Sequence, residues 1–137
     1  MEDMSPEIKH SGNPEQSAGN EAVTSLADLL REHKGENIRV LDLRGICNWT
    51  DYFIIANVSS GTHMDGLGRH IKTFCGVNKI DILGGTGKNN GPRFAGSRGE
   101  SPDDEWRLID LGFAIIHLMT RGARDFYDLE RLWTPYM

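Results

Sequence analysis

Cysteine is scarce in this 137-residue sequence: only Cys47 and Cys75 occur, too far apart for a CxxC pair. That argues against a disulfide framework or a cysteine-based metal site, and it suits a reducing compartment where a buried Cys acts as a small hydrophobe. Positive charge is in deficit, with 15 Lys and Arg against 20 Asp and Glu and a net charge of −5. Attraction of nucleic acid over the whole surface is thereby disfavoured, although a local basic contact is not. No apolar run approaches the ~18 residues that a membrane span needs. The opening segment MEDMSPEIKHSGNPEQSAGN has neither the apolar core of a signal peptide nor the Arg-rich pattern of a transit peptide, so a cytoplasmic location is expected. Internal repeats are absent. What remains is ordinary for one globular domain: 38% hydrophobic and 26% charged residues, in a chain long enough for a single core.

Residues 1–20 carry Glu2, Asp3, Glu7 and Glu15 against Lys9 alone and little that could be buried, so they read as a disordered acidic tail. The folded domain is expected over 21–137. Val23, Leu26, Ala27 and Leu30 recur at helical spacing, with Asn20 as the expected N-cap and Gly35 as the stop. Ile38 to Leu43 reads as a strand, and the apolar run Tyr52 to Val58 as a central one covered on both faces. Ser59, Ser60 and Thr62 stand where a helix should start. Met64, Leu67, Ile71, Phe74 and Cys75 give its face, weakened by Gly66 and Gly68, with Gly76 at its end. A short strand over 79–83 comes next.

Residues 84–105 hold six glycines and two prolines with no periodic apolar face, the composition of a long mobile loop. Two strands, Trp106 to Leu111 and Phe113 to Met119, then pivot at Gly112. A last helix runs from Thr120 to about Leu132, stopped by Pro135. The order α-β-β-α-β-β-β-α predicts an α/β (α+β) domain with a mixed sheet of about five strands flanked by helices. Its crossover helix predicts that the second and third strands form a parallel pair.

No catalytic constellation emerges. Gly84-Gly85-Thr86-Gly87-Lys88 invites a phosphate-loop reading, but G-x-x-x-x-G-K-[ST] fails at both ends: Ile82 stands five before Gly87, and Asn89 follows Lys88. Ser59-Ser60-Gly61 resembles the phosphate-gripping turn of nucleotidyltransferases, which also need paired carboxylates for metal ions. Asp81 stands alone in KIDIL, so helix capping is the plainer role. His63 and His70, about two helical turns apart, are too distant to share an ion without a further ligand. His117 shares a strand face with Ile115 and Met119 and reads as a packed, hydrogen-bonded histidine.

The stretch from Trp106 to Trp133 is the candidate partner surface. Phe126, Leu129 and Trp133 lie at i, i+3 and i+7 and are expected to face the core, with Tyr127 turned toward solvent. Exposed Trp, Tyr, Met and Arg dominate interface energetics because they bury large areas or add directional polar contacts; pattern alone is equally consistent with Trp106 and Met119 being core residues. Arg121–Asp125 and Arg124–Asp128 have the i,i+4 spacing of helix-supporting pairs.

Taken in order, ENIRVLDLRG, TDYFIIANVSSGTHM, WRLIDLG, HLMT and RDFYDLERLW resemble the Iojap family of ribosomal silencing factors, over about Leu26 to Trp133. The resemblance implies a nucleotidyltransferase-like fold without catalysis, without a cofactor or metal site. It also implies a protein that binds the large ribosomal subunit through ribosomal protein L14, blocks joining of the small subunit, and damps translation under nutrient limitation. The partner-binding residues it implies are Trp106, Asp110, Met119, Arg124 and Tyr127. The 84–105 loop is longer than the family's usual link, and its Lys88, Arg93 and Arg98 have the charge to touch ribosomal RNA; an inert insertion is the alternative. Two competing readings stand beside this one. One is a residual nucleotide-binding or nucleotidyltransferase-like enzyme using Ser60 and Gly61. The other is a homodimer formed off the ribosome through the hairpin edge.

Overall fold

The computed structural model describes residues 14–85, 105–133 and 135. Residues 1–13, and 86–104 with Lys88, Arg93 and Arg98, lie outside these. The elements are α1 (Pro14–Glu32), β1 (Glu36–Asp42), β2 (Tyr52–Val58), α2 (Gly61–Val77), β3 (Gly84–Gly85), β4 (Trp106–Asp110), β5 (Ala114–Thr120), α3 (Arg121–Tyr127) and α4 (Leu129–Trp133).

α1 starts six residues before the expected cap. Pro14 takes the first helical position, where its fixed φ suits the helix and its missing N–H removes no bond, so 14–20 belong to the helix rather than to a tail. Asn20 is inside it, its carbonyl accepting the Thr24 hydroxyl. Gly35 does end α1, but not by a positive φ. Lys34 takes the left-handed conformation (φ 75°), the Gly35 N–H donates to the Leu30 carbonyl at 2.7 Å, and a Cβ on Gly35 would crowd that oxygen. α2 ends in the same way with Lys79 (φ 58°) left-handed and Asn78 as C-cap, so Gly76 lies inside the helix. Its start matches expectation: the Ser60 side chain accepts from the His63 N–H.

The five-stranded sheet has the order β1-β2-β5-β4-β3. β2 is antiparallel to β1 and parallel to β5; β4 is antiparallel to β5 and β3. β2 and β3 therefore run in the same direction, as the crossover helix requires, yet they are not neighbours. The β4–β5 hairpin folds back between them, and β5 takes the parallel partnership expected of the third strand. β3 itself is not 79–83 but the glycine pair at 84–85, read from composition as the start of the loop. A Cβ on Gly85 would fall on the Leu108 carbonyl oxygen, so only glycine lets this backbone lie against β4.

Every residue of β2 is buried, which is what its near-continuous apolar run, interrupted only by Asn57, requires at the centre of a two-faced sheet. Alternation divides β2 and β5 between two cores. On one face Tyr52, Ile54, Ala56, Ala114, Ile116 and Leu118 meet α1 and α2 through Leu26, Leu30, Met64, Leu67 and Ile71. Each of those fully buried aliphatic side chains contributes about 1.5–3 kcal/mol over exposure. Gly68, a weak point for a helix, stands 3.8 Å (as a notional Cβ) from the buried Arg107 guanidinium, which bonds Asp65 at 2.7 Å across α2. On the other face Phe53, Ile55, Ile115 and Met119 pack with Leu41, Leu43, Cys47 and Ala123 beneath Leu129 and Trp133. Both cysteines are free and buried. No helix among the described residues is long and apolar enough to cross a membrane.

Candidate partner interface

Among the described helices, α3 and α4 cover the second face of the sheet, and the chain breaks between them. Thr120 caps α3 through the Ala123 N–H, as expected. Asp128 then adopts the left-handed conformation (φ 47°), its N–H returning to the Arg124 carbonyl. A single helix from 120 to 132 would have placed Phe126 on the core stripe with Leu129 and Trp133. The break resets the phase, so Leu129 and Trp133 pack inward while Phe126 is 79% exposed.

A chain of ring contacts crosses this face. Phe126 meets Tyr127 edge-on at 4.9 Å, and Tyr127 meets Trp106 at 4.7 Å. The Trp106 indole N–H donates to His117 Nδ1 at 3.0 Å, and the His117 ring lies 4.5 Å from Phe53. Phe53 touches Trp133 and Trp49, the latter 59% exposed. Tyr127 is 52% exposed, and Trp106 is half-buried. Aromatic pairs of this kind contribute about 0.5–1.5 kcal/mol beyond area burial, which helps hold the strip together as one continuous apolar surface.

The structure separates the five residues expected at the interface. Trp106 and Tyr127 stand together in the strip. Met119 is fully buried, being the cross-strand partner of Trp106 on an inward-facing register position. Asp110 sits at the far end of β4, on the same face as Trp106, and its Oδ1 accepts the Gly112 N–H at 2.8 Å in the turn where Gly112 has φ 88°. Arg124 is only 7% exposed and turned inward. It donates to the Asn37 carbonyl, to Asn57 Oδ1 at 2.9 Å and, through two nitrogens, to both oxygens of Glu130 at 3.2 and 3.1 Å. Arg39 reaches Glu130 as well, at 3.2 Å. The expected i,i+4 pairs are replaced: Arg124 bonds Glu130, Arg131 lies 3.6 Å from Asp128, and Arg121 faces Glu36. Arg124, by hydrogen bonding most of all, and Arg39 hold the Glu130 carboxyl below its ordinary range.

His117 is 3% exposed, and burial pushes its pKa down from 6.5 to about 4. It is the packed, hydrogen-bonded histidine expected from its strand face; only its partner, Trp106, went unnamed, and the hairpin register could have found it. Trp106 opposes Met119 and Leu108 opposes His117, which makes Trp106 and His117 diagonal neighbours on one face.

Elsewhere, a cleft of about 650 Å³ opens at the carboxyl ends of β2 and β5, lined by Lys34, Glu36, Ser59, His63 and Arg121 among others. Glu36 is its single carboxylate among the described residues, so it lacks the acidic pair that metal-assisted phosphoryl chemistry uses. His63 bonds the Ser59 backbone and the His33 carbonyl, and His70 stacks on His33 at 3.6 Å. Among the described residues no three His, Cys, Asp or Glu side chains gather as metal ligands.

A family model described as ribosomal silencing factor during starvation matches residues 15–136. The chain belongs to that family. A ribosomal silencing factor from Haemophilus influenzae is 32% identical over 111 residues, covering 81% of this chain and 96% of the relative. The mouse protein named mitochondrial assembly of ribosomal large subunit protein 1 is 30% identical over 112 residues, covering 82% of this chain and 45% of its own. A crystal structure from Chromobacterium violaceum superposes with a TM-score of 0.66 at 26% identity, covering 83% of this chain and 85% of that one. A second, from Bacillus halodurans, gives 0.64 at 24% identity over 83% and 94% of the two chains, a likeness of fold. As a member of the silencing-factor family, this chain carries its WRLIDLG and RDFYDLERLW segments as β4 with its turn and as α3–α4, the elements that build the aromatic strip.

Proposed function

We propose that this protein is a translational repressor of the cytoplasm. It docks on the large ribosomal subunit through ribosomal protein L14, and its bulk there keeps the small subunit from joining, damping translation when nutrients are limiting. The contiguous rings of Trp106, Tyr127 and Phe126, the last two facing solvent, carry the reading. Aromatic side chains bury large areas at the cost of few torsions, which makes them the usual anchors of a protein–protein contact. Membership of the silencing-factor family supplies the partner class, and a contact by rings alone fits an adaptor without catalysis. Met119 and Arg124 support this surface from beneath, and Asp110 shapes its hairpin.

Purified large subunits, with added protein, test the proposal by co-sedimentation and by light scattering of subunit joining. Trp106→Ala with Tyr127→Ala should weaken both by at least about tenfold, the loss expected for removing anchors of this kind, with the circular dichroism unchanged. A double variant that blocks joining at wild-type potency would show the surface to lie elsewhere. Light scattering of the free protein across concentration reports on the homodimer.

A further inference from the structure

Under the aromatic strip lies a histidine that core packing alone does not explain. His117 Nδ1 accepts the Trp106 indole N–H, so the neutral ring carries its proton on Nε2. That Nε2 is buried and, among the described residues, has no hydrogen-bond partner. Buried donors are nearly always satisfied, and leaving one unmade is costly. The surroundings are apolar: Phe53 lies 4.5 Å away, and Ile115 and Met119 share the strand face. A phenylalanine of about the same size would fill the slot without an orphaned donor. The one thing it could not do is accept the indole proton.

The geometry points to His117 as a positioning residue for partner binding: its Nδ1 fixes the Trp106 indole, and through the Trp106–Tyr127 contact the exposed ring beside it, in the orientation the partner meets. This rests on the docking face described above. Trp106 is the first residue of β4 and is half-buried, so packing covers only part of its ring. A single hydrogen bond from below selects one rotamer, and a ring already ordered loses less freedom on binding.

The full-length protein and purified large subunits make the test. In His117→Phe, the Trp106 indole N–H resonance, assigned by its absence in Trp106→Phe, should shift and exchange faster with solvent. Affinity for the large subunit should fall about two- to tenfold, the range that corresponds to fixing one side chain. His117→Asn returns an acceptor near the Nδ1 position and should recover most of that affinity. In a Trp106→Phe background, where no indole N–H remains, His117→Phe should change affinity no further. If His117→Phe binds as wild type while Trp106→Ala is weakened, positioning by His117 is refuted and the docking face stands. A His117→Phe loss that persists undiminished in the Trp106→Phe background also refutes it. If Trp106→Ala binds at full strength, the docking face fails and this inference with it. Should His117→Phe fold poorly, His117→Asn decides: wild-type affinity and indole shift uphold the role, and a displaced indole with weak binding overturns it.

Discussion

Burying His117 as a neutral ring ties the protein's stability to pH. Its pKa in the fold is about 4 against an ordinary 6.5. As pH falls below 6.5 the unfolded chain takes up a proton that the native ring refuses, so stability declines from pH 6.5 to about 4 and this contribution is then spent. The loss amounts to about 3 kcal/mol across the window. Glu130 and Asp42, whose pKa values are depressed by arginine partners, lose their contributions lower down, below their ordinary 4.5 and 3.8. Urea unfolding of wild type and His117→Phe between pH 7 and 4.5 should therefore show a steep decline for wild type and a shallower one for the variant. Parallel curves would mean that His117 is not held neutral. Which side chains face outward was only partly legible at this scale. Tyr127 follows from helical phase, but Met119 is undecided between core and surface until cross-strand register is known, and Arg124 looks like a surface contact until its distant partners Asn37 and Asn57 are. Neither is encoded near them in the sequence.

At the scale of elements, the readable ones announce themselves through side chains. β2 is a near-continuous apolar run and α2 a clear stripe with a serine cap, and both appear where their residues place them. β3 is legible only afterwards, because two glycines have no side-chain pattern to read. The α3–α4 break hides for a related reason: Asp128 is acceptable in a helix, and only tertiary contacts turn it left-handed. Chief among these is the fork of Arg124 on Glu130, which fastens α4 and α3 to each other and, through Asn37 and Asn57, to the β1–β2 edge. A lysine there keeps the charge but cannot make a two-point contact while also reaching two other acceptors. Arg124→Lys should cost about 1–3 kcal/mol by denaturant unfolding. Arg39→Lys, altering the outer and half-exposed partner of the same carboxylate, should stay within about 1 kcal/mol. Equal losses for the two would deny Arg124 its role as the fastener.

For the molecule as a whole, the asymmetry of its two faces governs where it opens. One face of the sheet is covered by helices of 19 and 17 residues, Pro14–Glu32 and Gly61–Val77, and by the larger core cluster. The other is covered by helices of 7 and 5 residues that meet at a left-handed hinge and leave Phe126, Tyr127, Leu132 and Trp49 in solvent. Short helices have little stability of their own and depend on packing. The α3–α4 roof should therefore open in a local step well below the free energy of global unfolding, whereas β2 and β5, paired in parallel at the sheet's centre, should exchange only when the whole domain unfolds. Native-state hydrogen exchange as a function of low denaturant separates the two classes. The roof is also the element bearing the proposed contact rings, so adding large subunits should slow exchange in α3, α4 and the start of β4 while leaving α1 unchanged. Protection appearing on α1 instead would move the docking surface to the opposite face of the sheet. Equal exchange rates for α3 and β2 in the free protein would mean that the roof is as firmly built as the core, and that the contact rings are presented by a rigid domain rather than by its most easily opened part.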